Sequence, residues 1–218
     1  MDKHYLTPLF QPDTIAVFVG NHDDPDGQTA HARNLTAALT AQRFTGKFVF
    51  LDIHTSGTLA ELAQTRADLA IIALPPAEAV AALEIAGRIK CKAALVIGSG
   101  ANADVASDMH QVARRHGMQL LGPNSLGFQR PRIGLNASVA GPLTTIGPLA
   151  LVSQSGALTS SILDWASQNG VGFSTVVSLG PKTAVDIAQV LDFLASDAQT
   201  HSIVVYMEGI SDARRFMS

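Results

Sequence analysis

Short apolar segments that stop at small or turn-forming residues recur along this chain, and a stretch with helical spacing follows most of them. In the first part these segments cover residues 15–19, 47–53, 68–74, 93–97 and 118–121. Strands and helices in strict alternation favour a parallel sheet with helices packed on it. The sequence therefore predicts an α/β fold whose first part is a doubly wound parallel sheet.

A second alternation follows a turn-rich segment that contains Pro131, Gly134, Gly141 and Pro142. We predict three strands there, at residues 149–152, 173–179 and 202–206. The predicted organisation is a first domain at 1–130, a linker at 131–147 and a second domain at 148–218. A three-stranded parallel sheet leaves an open edge, so we expect the second domain to be truncated.

Several helices are predicted from the spacing of apolar residues. A short one lies around 59–63, and Pro76 suits the first position of another. Another helix is predicted just before the strand at 118–121, and Gly117 is the residue expected to end it. In the helix predicted at 157–168, apolar residues fall at i, i+4, i+7 and i+8 on one inward face: Leu158, Ile162, Trp165 and Ala166.

Ligands of doubly wound sheets bind at the carboxyl ends of the strands. Four residues of the first domain lie at such ends: Gly20, Asp52, Pro75 and Gly98. This edge of the sheet is the expected ligand site.

Two bends have the composition of phosphate sites. The strand at 149–152 runs into Ser153-Gln154-Ser155-Gly156 and then a helix, with Ser155 as the expected N-cap. Free backbone N–H groups and the positive helix end favour an anion there. The strand at 118–121 ends in Gly122-Pro123-Asn124-Ser125, which is also rich in backbone amides. An ordinary capped turn is the alternative interpretation of either bend.

Composition excludes several classes of protein. Charged residues make up only 15% of the chain, the net charge is −3, and there is no basic stripe for nucleic acid. No apolar run approaches the roughly 20 residues of a membrane helix, and residues 1–5 are not a secretion signal. Cys91 is the only cysteine, so we expect a packing role and a cytoplasmic location.

Several longer motifs together resemble the N-terminal part of NDP-forming acyl-CoA synthetases and, more distantly, the α subunit of succinyl-CoA synthetase. They are Leu9-Phe10-Gln11-Pro12-Asp13-Thr14-Ile15-Ala16-Val17, Leu120-Leu121-Gly122-Pro123-Asn124-Ser125-Leu126-Gly127, Gly134-Leu135-Asn136-Ala137-Ser138, Val152-Ser153-Gln154-Ser155-Gly156-Ala157-Leu158 and Ile162-Leu163-Asp164-Trp165-Ala166. The segment Ser211-Asp212-Ala213-Arg214-Arg215-Phe216 is similar to bacterial protein-lysine acetyltransferases that carry a synthetase-like region.

The resemblance implies a Rossmann-like CoA-binding domain followed by an incomplete flavodoxin-like ligase domain. The expected ligand is CoA or an acyl-CoA thioester, with ATP or ADP bound only by an ATP-grasp region of the full-length protein. The implied CoA-binding residues are Gly20, Asn21, His22, Gly27, Gln28, Asp52, Leu74, Pro75, Pro76, Ser99 and Gly100. The implied phosphate-docking residues are Gly122, Pro123, Asn124, Ser125, Ser153, Gln154, Ser155 and Gly156. A homo-oligomer is compatible with the resemblance, and no metal ligand is implied.

The resemblance also implies that catalysis needs a phosphorylated histidine. None of the seven histidines matches it, so we expect this chain to bind without catalysing. Glu208 matches an acidic residue that steadies the phosphohistidine, although a solvated carboxylate at a strand end is an equally simple interpretation. The alternative function within the resemblance is an acyl-CoA-sensing region of an acetyltransferase.

The first loop departs from the family pattern. Gly20 and Gly27 allow close backbone approach, but Asp23, Asp24 and Asp26 lie between them, and Asp52 follows the second strand. Each carboxylate near a ligand phosphate is unfavourable by about 1 kcal/mol at surface dielectric. We therefore expect weak CoA binding or an altered ligand.

Two unrelated functions are rivals. The segment 98–103 fits the G-x-G-x-x-A pattern of a nicotinamide dehydrogenase. It follows the fourth predicted strand rather than the first, however, and the next predicted strand does not end in an acidic residue that could bind the ribose. Ser155 lies at a strand-to-helix turn as a hydrolase nucleophile does, but Ser153 stands where that motif needs glycine.

Overall fold

The first sheet is parallel and has five strands. The computed structural model describes residues 4–22, 24–54, 66–180, 184–210 and 213–216, so the helix predicted at 59–63 lies outside the described residues. The strands are β1 (Thr14–Phe18), β2 (Lys47–Phe50), β3 (Leu69–Ile72), β4 (Ala93–Ile97) and β5 (Gln119–Ser125), in the order β2-β1-β3-β4-β5. Every neighbouring pair is parallel, which confirms the predicted α/β sheet.

The first helix that the structure describes precedes β1, and the next ones connect strands of this sheet. They are α1 (Thr7–Phe10), α2 (Ala30–Thr40), α3 (Pro76–Arg88) and α4 (Ala103–His116). The Thr29 hydroxyl accepts from the Ala32 N–H at 3.1 Å and so caps α2. Pro76 occupies the first turn of α3, and Gly117 ends α4 with a φ of +66°, both as predicted.

Both faces of the first sheet are covered. Alternate residues of β1 separate into two cores, with Ile15 in one and Phe18 in the other. The core on the Phe18 side includes Leu83 of α3, Met109 of α4 and Cys91. Burial raises the pKa of the Cys91 thiol to about 12, so the thiol packs as a neutral, apolar group.

The second sheet is mixed and also has five strands. They are β6 (Gly127–Arg130), β7 (Leu135–Ser138), β8 (Ile146–Ser153), β9 (Phe173–Ser178) and β10 (Ser202–Tyr206), in the order β10-β8-β9-β6-β7. The helices here are α5 (Gly156–Gln168), α6 (Ile187–Ser196) and α7 (Ala213–Phe216). No helix among the described residues is long and apolar enough to cross a bilayer.

The predicted linker at 131–147 is wrong for part of its length. Leu135–Ser138 is a strand that pairs antiparallel with β6, and β6 pairs antiparallel with β9. The prediction failed because the glycines and prolines of this segment lie in the turns of a short hairpin. A segment judged by its turn residues alone resembles a linker. The second sheet therefore has two more strands than the sequence predicted.

The predicted inward face of α5 is also wrong in part. The buried residues of this helix are Thr159, Leu163 and Ala166, whereas Trp165 is 58% exposed. Thr159 was overlooked because it is polar, but its hydroxyl donates to the Ser155 carbonyl at 2.8 Å and so tolerates burial.

A buried ion pair joins the last residue of β6 to the residue that follows α6. Arg130 and Asp197, with side chains only 3% and 4% exposed, lie 2.6 Å apart. Arg130 also donates to the Thr175 hydroxyl, and its guanidinium lies over the Phe193 ring. Phe128 and Phe193 belong to the same core as Phe10, so α1 and the second sheet share one apolar cluster.

Candidate functional site at the carboxyl ends of the strands

Glycines open the carboxyl edge of the first sheet. Gly20 follows β1 with a φ of +81°, and Gly98 and Gly100 follow β4 with φ values of +129° and +92°. A Cβ atom at any of the three would meet nothing within 4 Å, so the space in front of these backbones is open. Positive φ explains why glycine stands at each position.

The loop after β1 is folded over by its own side chains. The buried Gln28 side chain donates to the Asn21 carbonyl at 2.8 Å, which closes the loop. His22 stacks on Phe50 at the end of β2, with ring centroids 3.8 Å apart. The Asp24 carboxylate lies against Gly27, 3.1 Å from where a Cβ would stand. An acidic group thus occupies the approach that Gly27 was expected to leave free.

Asp52 lies two residues beyond the end of β2 rather than at its tip, because the strand is shorter than predicted. Its carboxylate accepts from the backbone N–H of His54 at 2.9 Å and is half-buried. The second acidic group of the predicted site is therefore held by a local turn.

A narrow cleft joins the ends of β3, β4 and β5. It is lined by residues that include Leu74, Pro76, Gly98, Ser99, Pro123 and Asn124, whereas Pro75 is exposed beside it. Its volume is about 10 Å³, room for one water molecule. A larger ligand would lie across the open mouth of this cleft.

A larger cavity lies at the opposite edge of the sheet. It has a volume of about 420 Å³, and its lining includes Asp13, Asp68, Lys92 and Gln119, at or just before the amino ends of strands. Ligands of open α/β sheets bind at the other edge.

The bend at 122–125 bulges out of β5. Leu121 pairs with Leu95, but the next pair joins Ser125 to Ile97, so the residues between them leave the register. Gly122 has a φ of +98° and a cis bond to Pro123, and Asn124 has a φ of +59°. The Asn124 side chain donates to the Ala101 carbonyl at 3.2 Å, which fixes the bend against the loop after β4.

The second bend caps α5. The Ser155 hydroxyl accepts from the Leu158 N–H at 3.3 Å, which confirms Ser155 as the N-cap. No acceptor within the described part of the chain is assigned to the N–H groups of Gly156 and Ala157. These donors lie at the positive end of a 13-residue helix, a favourable place for an anion.

The Ser125 and Ser153 hydroxyls make hydrogen bonds within the chain. Ser125 is buried, and its hydroxyl donates to the Ser178 carbonyl at 2.5 Å and accepts from the Gly127 N–H at 2.9 Å. Ser153 is fully buried, donates to the Ser155 carbonyl and accepts from the Ser155 N–H. Both hydroxyls are therefore engaged in hydrogen bonds within the chain, and their role in docking phosphate stays a prediction.

The two bends come together, although more than 25 residues separate them in the sequence. A Cβ on Gly156 would lie 2.9 Å from Leu126, the residue that follows the first bend. A Cβ on Gly180 would lie 2.3 Å from the Pro123 carbonyl oxygen. The ends of β5, β8 and β9 thus meet at one place.

Gln154 and Glu208 also lie close together. The Gln154 side-chain oxygen accepts from the N–H groups of Glu208 at 2.7 Å and Gly209 at 3.1 Å. Glu208 is exposed in the turn after β10. The predicted phosphohistidine-supporting residue is therefore adjacent to the bend that begins α5.

Sequence reasoning missed two residues beside the bends. Gly180 was not singled out, although its position between Leu179 and Pro181 after a strand is a turn signal. His110 on α4 makes a hydrogen bond with the backbone of Gly122 that raises its pKa, but burial is the larger effect and lowers that pKa. No motif in the sequence points to His110.

Both parts of the chain match known families. Residues 50–131 match the CoA binding domain, and residues 146–218 match the succinyl-CoA ligase like flavodoxin domain. The chain thus carries a CoA binding domain match followed by a succinyl-CoA ligase like flavodoxin domain match. Its homologues are the N-terminal α regions of NDP-forming acetyl-CoA synthetases, as the sequence motifs predicted.

Two sequence relatives each match 69% of this CoA-ligase-like chain. The acetate–CoA ligase [ADP-forming] I of Archaeoglobus fulgidus is 41% identical over 156 residues, which are 69% of this chain and 23% of that protein. The α subunit of the corresponding Pyrococcus furiosus ligase is 39% identical over 157 residues, 69% of this chain and 34% of the subunit.

A solved structure has the same fold. The dinucleotide-forming acetyl-coenzyme A synthetase 1 of Ca. Korarchaeum cryptofilum, in complex with phosphate and ADP, superposes with a TM-score of 0.86 at 28% identity. That match covers 97% of this chain and 47% of the synthetase chain. The CoA-ligase-like chain therefore spans less than half the length of these relatives, and the acetyltransferase alternative has no support among them.

Proposed function

We propose that this chain is the CoA-binding portion of an ADP-forming acyl-CoA synthetase. CoA or its thioester lies across the carboxyl ends of the first sheet, and a phosphorylated group docks where the bends at 122–125 and 153–156 meet. The observation that supports this most is the close approach of Gly156, in the second bend, to the side chain of Leu126, which directly follows the first bend, because it brings amide-rich turns from two different sheets close together.

The chemistry of such a site is electrostatic. The reaction we propose exchanges an acyl group between phosphate and the CoA sulfur, so negative charge on phosphate must be held on one side of the reacting carbon. The N–H groups of Gly156 and Ala157, at the positive end of α5, suit that charge. Backbone donors held by a cap need little reorganisation during the reaction.

The residues of the chain fit CoA only in part. Open backbone at Gly20 and Gly98 suits close approach of a diphosphate. The carboxylates of Asp24 and Asp52 oppose it by about 1 kcal/mol each, the repulsion of two unit charges about 4 Å apart in bulk water. We therefore propose that CoA binds weakly here, and that the phosphoryl-carrying histidine and the nucleotide site are supplied by other parts of the protein.

The test is thermal unfolding with millimolar CoA, acetyl-CoA or NAD. A ligand at ten times its dissociation constant stabilises by about 1.4 kcal/mol, which shifts the melting temperature by several degrees in a chain of this size. We expect a shift with CoA and acetyl-CoA. No shift with either would refute the proposal, and stabilisation by NAD alone would favour the dehydrogenase.

A further inference from the structure

Gln154 makes one hydrogen bond to the last residue of β10 and three to the segment that follows it. Its side-chain oxygen accepts from the Glu208 and Gly209 N–H groups, and its side-chain nitrogen donates to the Gly209 carbonyl at 3.0 Å. Its backbone N–H donates to the Tyr206 carbonyl at 3.1 Å. The amide oxygen and one N–H of the amide nitrogen are therefore engaged within the chain.

We propose that Gln154 is a positioning residue, which holds the turn carrying Glu208 beside the amino end of α5 and is not itself an anion ligand. The functional meaning of Glu208 in this inference depends on the proposed synthetase function. The placement of the turn by Gln154 does not, because it depends only on contacts within the chain.

The acceptor and the donor of the Gln154 amide are both used at this position. A side chain that accepts from two successive N–H groups and donates to the carbonyl of the second acts like the edge of another strand. Glutamate retains the acceptor and loses the donor, whereas methionine has a similar length and neither. The pair Gln154→Glu and Gln154→Met therefore separates the hydrogen bonds from mere packing.

The carboxylate of Glu208 remains available. It is exposed, and it forms no ion pair with any residue that the structure describes. A carboxylate carried on a turn that is held beside the positive end of α5 is suited to orient a cationic or imidazole group that approaches an anion bound there. Gln154 holds that turn because it bonds directly to the backbone of Glu208 and Gly209.

The experiment is residue-resolved amide hydrogen exchange on the unliganded chain. In the parent we expect the Glu208 and Gly209 N–H groups to be protected. Gln154→Met should speed their exchange about tenfold or more, which corresponds to the loss of one ordinary hydrogen bond. Gln154→Glu should retain most of the protection, while Leu151 and Val152 in β8 stay unchanged in both variants.

The matched control is Gln168→Met, which removes the amide of a glutamine at the carboxyl end of α5, where it donates to the exposed Asp164. This variant should leave the exchange rates of the Glu208 and Gly209 backbone N–H groups as they are in the parent. Unprotected amides in the parent, no acceleration in Gln154→Met, or equal acceleration in Gln154→Glu would each overturn the inference. Failure to bind CoA would overturn the proposed function alone.

Discussion

The Ser125 hydroxyl donates to the Ser178 carbonyl at 2.5 Å, so the last residue of a strand in the first sheet is bonded to the last residue of a strand in the second. The chain then needs only Leu126 to pass from β5 into β6. This short crossing places the bend at 122–125 against the ends of β8 and β9, and so builds the candidate site from both sheets.

We expect Ser125→Ala to destabilise the chain by about 1–3 kcal/mol, because it leaves a buried carbonyl and the Gly127 N–H without their partner. Denaturant unfolding measures this directly. Ser161→Ala, on the exposed face of α5, is the control and should change stability by less than about 0.5 kcal/mol. Equal effects of the two variants would show that the bond between the sheets contributes nothing.

The parallel strands of both sheets could be predicted from the sequence because each is a short apolar run between turn residues, as at Ala93–Ile97. The hairpin formed by β6 and β7 could not, since it contains the buried polar residues Gln129 and Asn136. Their side chains donate to the Gly141 carbonyl, a tertiary contact that no local pattern reveals.

Gly180 should not tolerate a side chain. A Cβ there would lie 2.3 Å from the Pro123 carbonyl oxygen and 2.5 Å from that of Asn124, and backbone atoms cannot move away cheaply. We expect Gly180→Ala to lower the free energy of unfolding by about 1–3 kcal/mol. The variant should also lower the affinity for any ligand that this bend binds. The matched control is Gly209→Ala, where a Cβ meets nothing within 4 Å.

The readouts for Gly180→Ala are thermal unfolding and titration with CoA. A variant that keeps the parent's melting temperature and affinity would contradict the close contact between the bend and the end of β9. A loss of the same size in Gly209→Ala would show that the effect is not specific to this contact.

Asp52→Asn should strengthen CoA binding, because it removes a negative charge from the expected ligand edge and keeps the oxygen that accepts from His54. About 1 kcal/mol of repulsion corresponds to roughly a fivefold change in affinity. Titration calorimetry at low and high salt measures it, and the gain should shrink at high salt. Asp108→Asn, exposed on α4, is the control. Unchanged affinity in Asp52→Asn would contradict charge repulsion at this position.

Glu84 should make stability depend on acid pH. The hydrogen bond with His116 is the main cause of its lowered pKa, and the Arg115 charge assists; the two groups lie 2.9 and 3.0 Å from the carboxylate. A carboxyl whose pKa is lowered in the folded state adds stability above its unfolded pKa and loses it as the pH falls through the folded pKa.

The comparison is between the parent and Glu84→Gln in unfolding experiments from about pH 5.5 to about pH 3. We expect the parent to be the more stable at pH 5.5 and its advantage to shrink below the ordinary glutamate value of 4.5. An advantage that is constant or grows towards low pH would contradict the assignment.

The candidate site shows where sequence reasoning stops. The bends could be predicted because their residues, such as Ser155 and Gly122, have local conformational roles. Which groups face a ligand could not, since that depends on partners distant in sequence. Gln154 illustrates the difference: it was assigned to a phosphate, and its amide is bonded to a turn more than 50 residues away.

The most direct test of the CoA site is a map of backbone amide shifts by NMR as CoA is added to the chain. We expect saturable shifts at Gly20, Gly98, Ser99 and Asn124, with further shifts at Gly156 and Ala157 when inorganic phosphate is also present. Shifts confined to the cavity at the opposite edge of the first sheet, around Asp13 and Lys92, or no saturable shift at all, would contradict it.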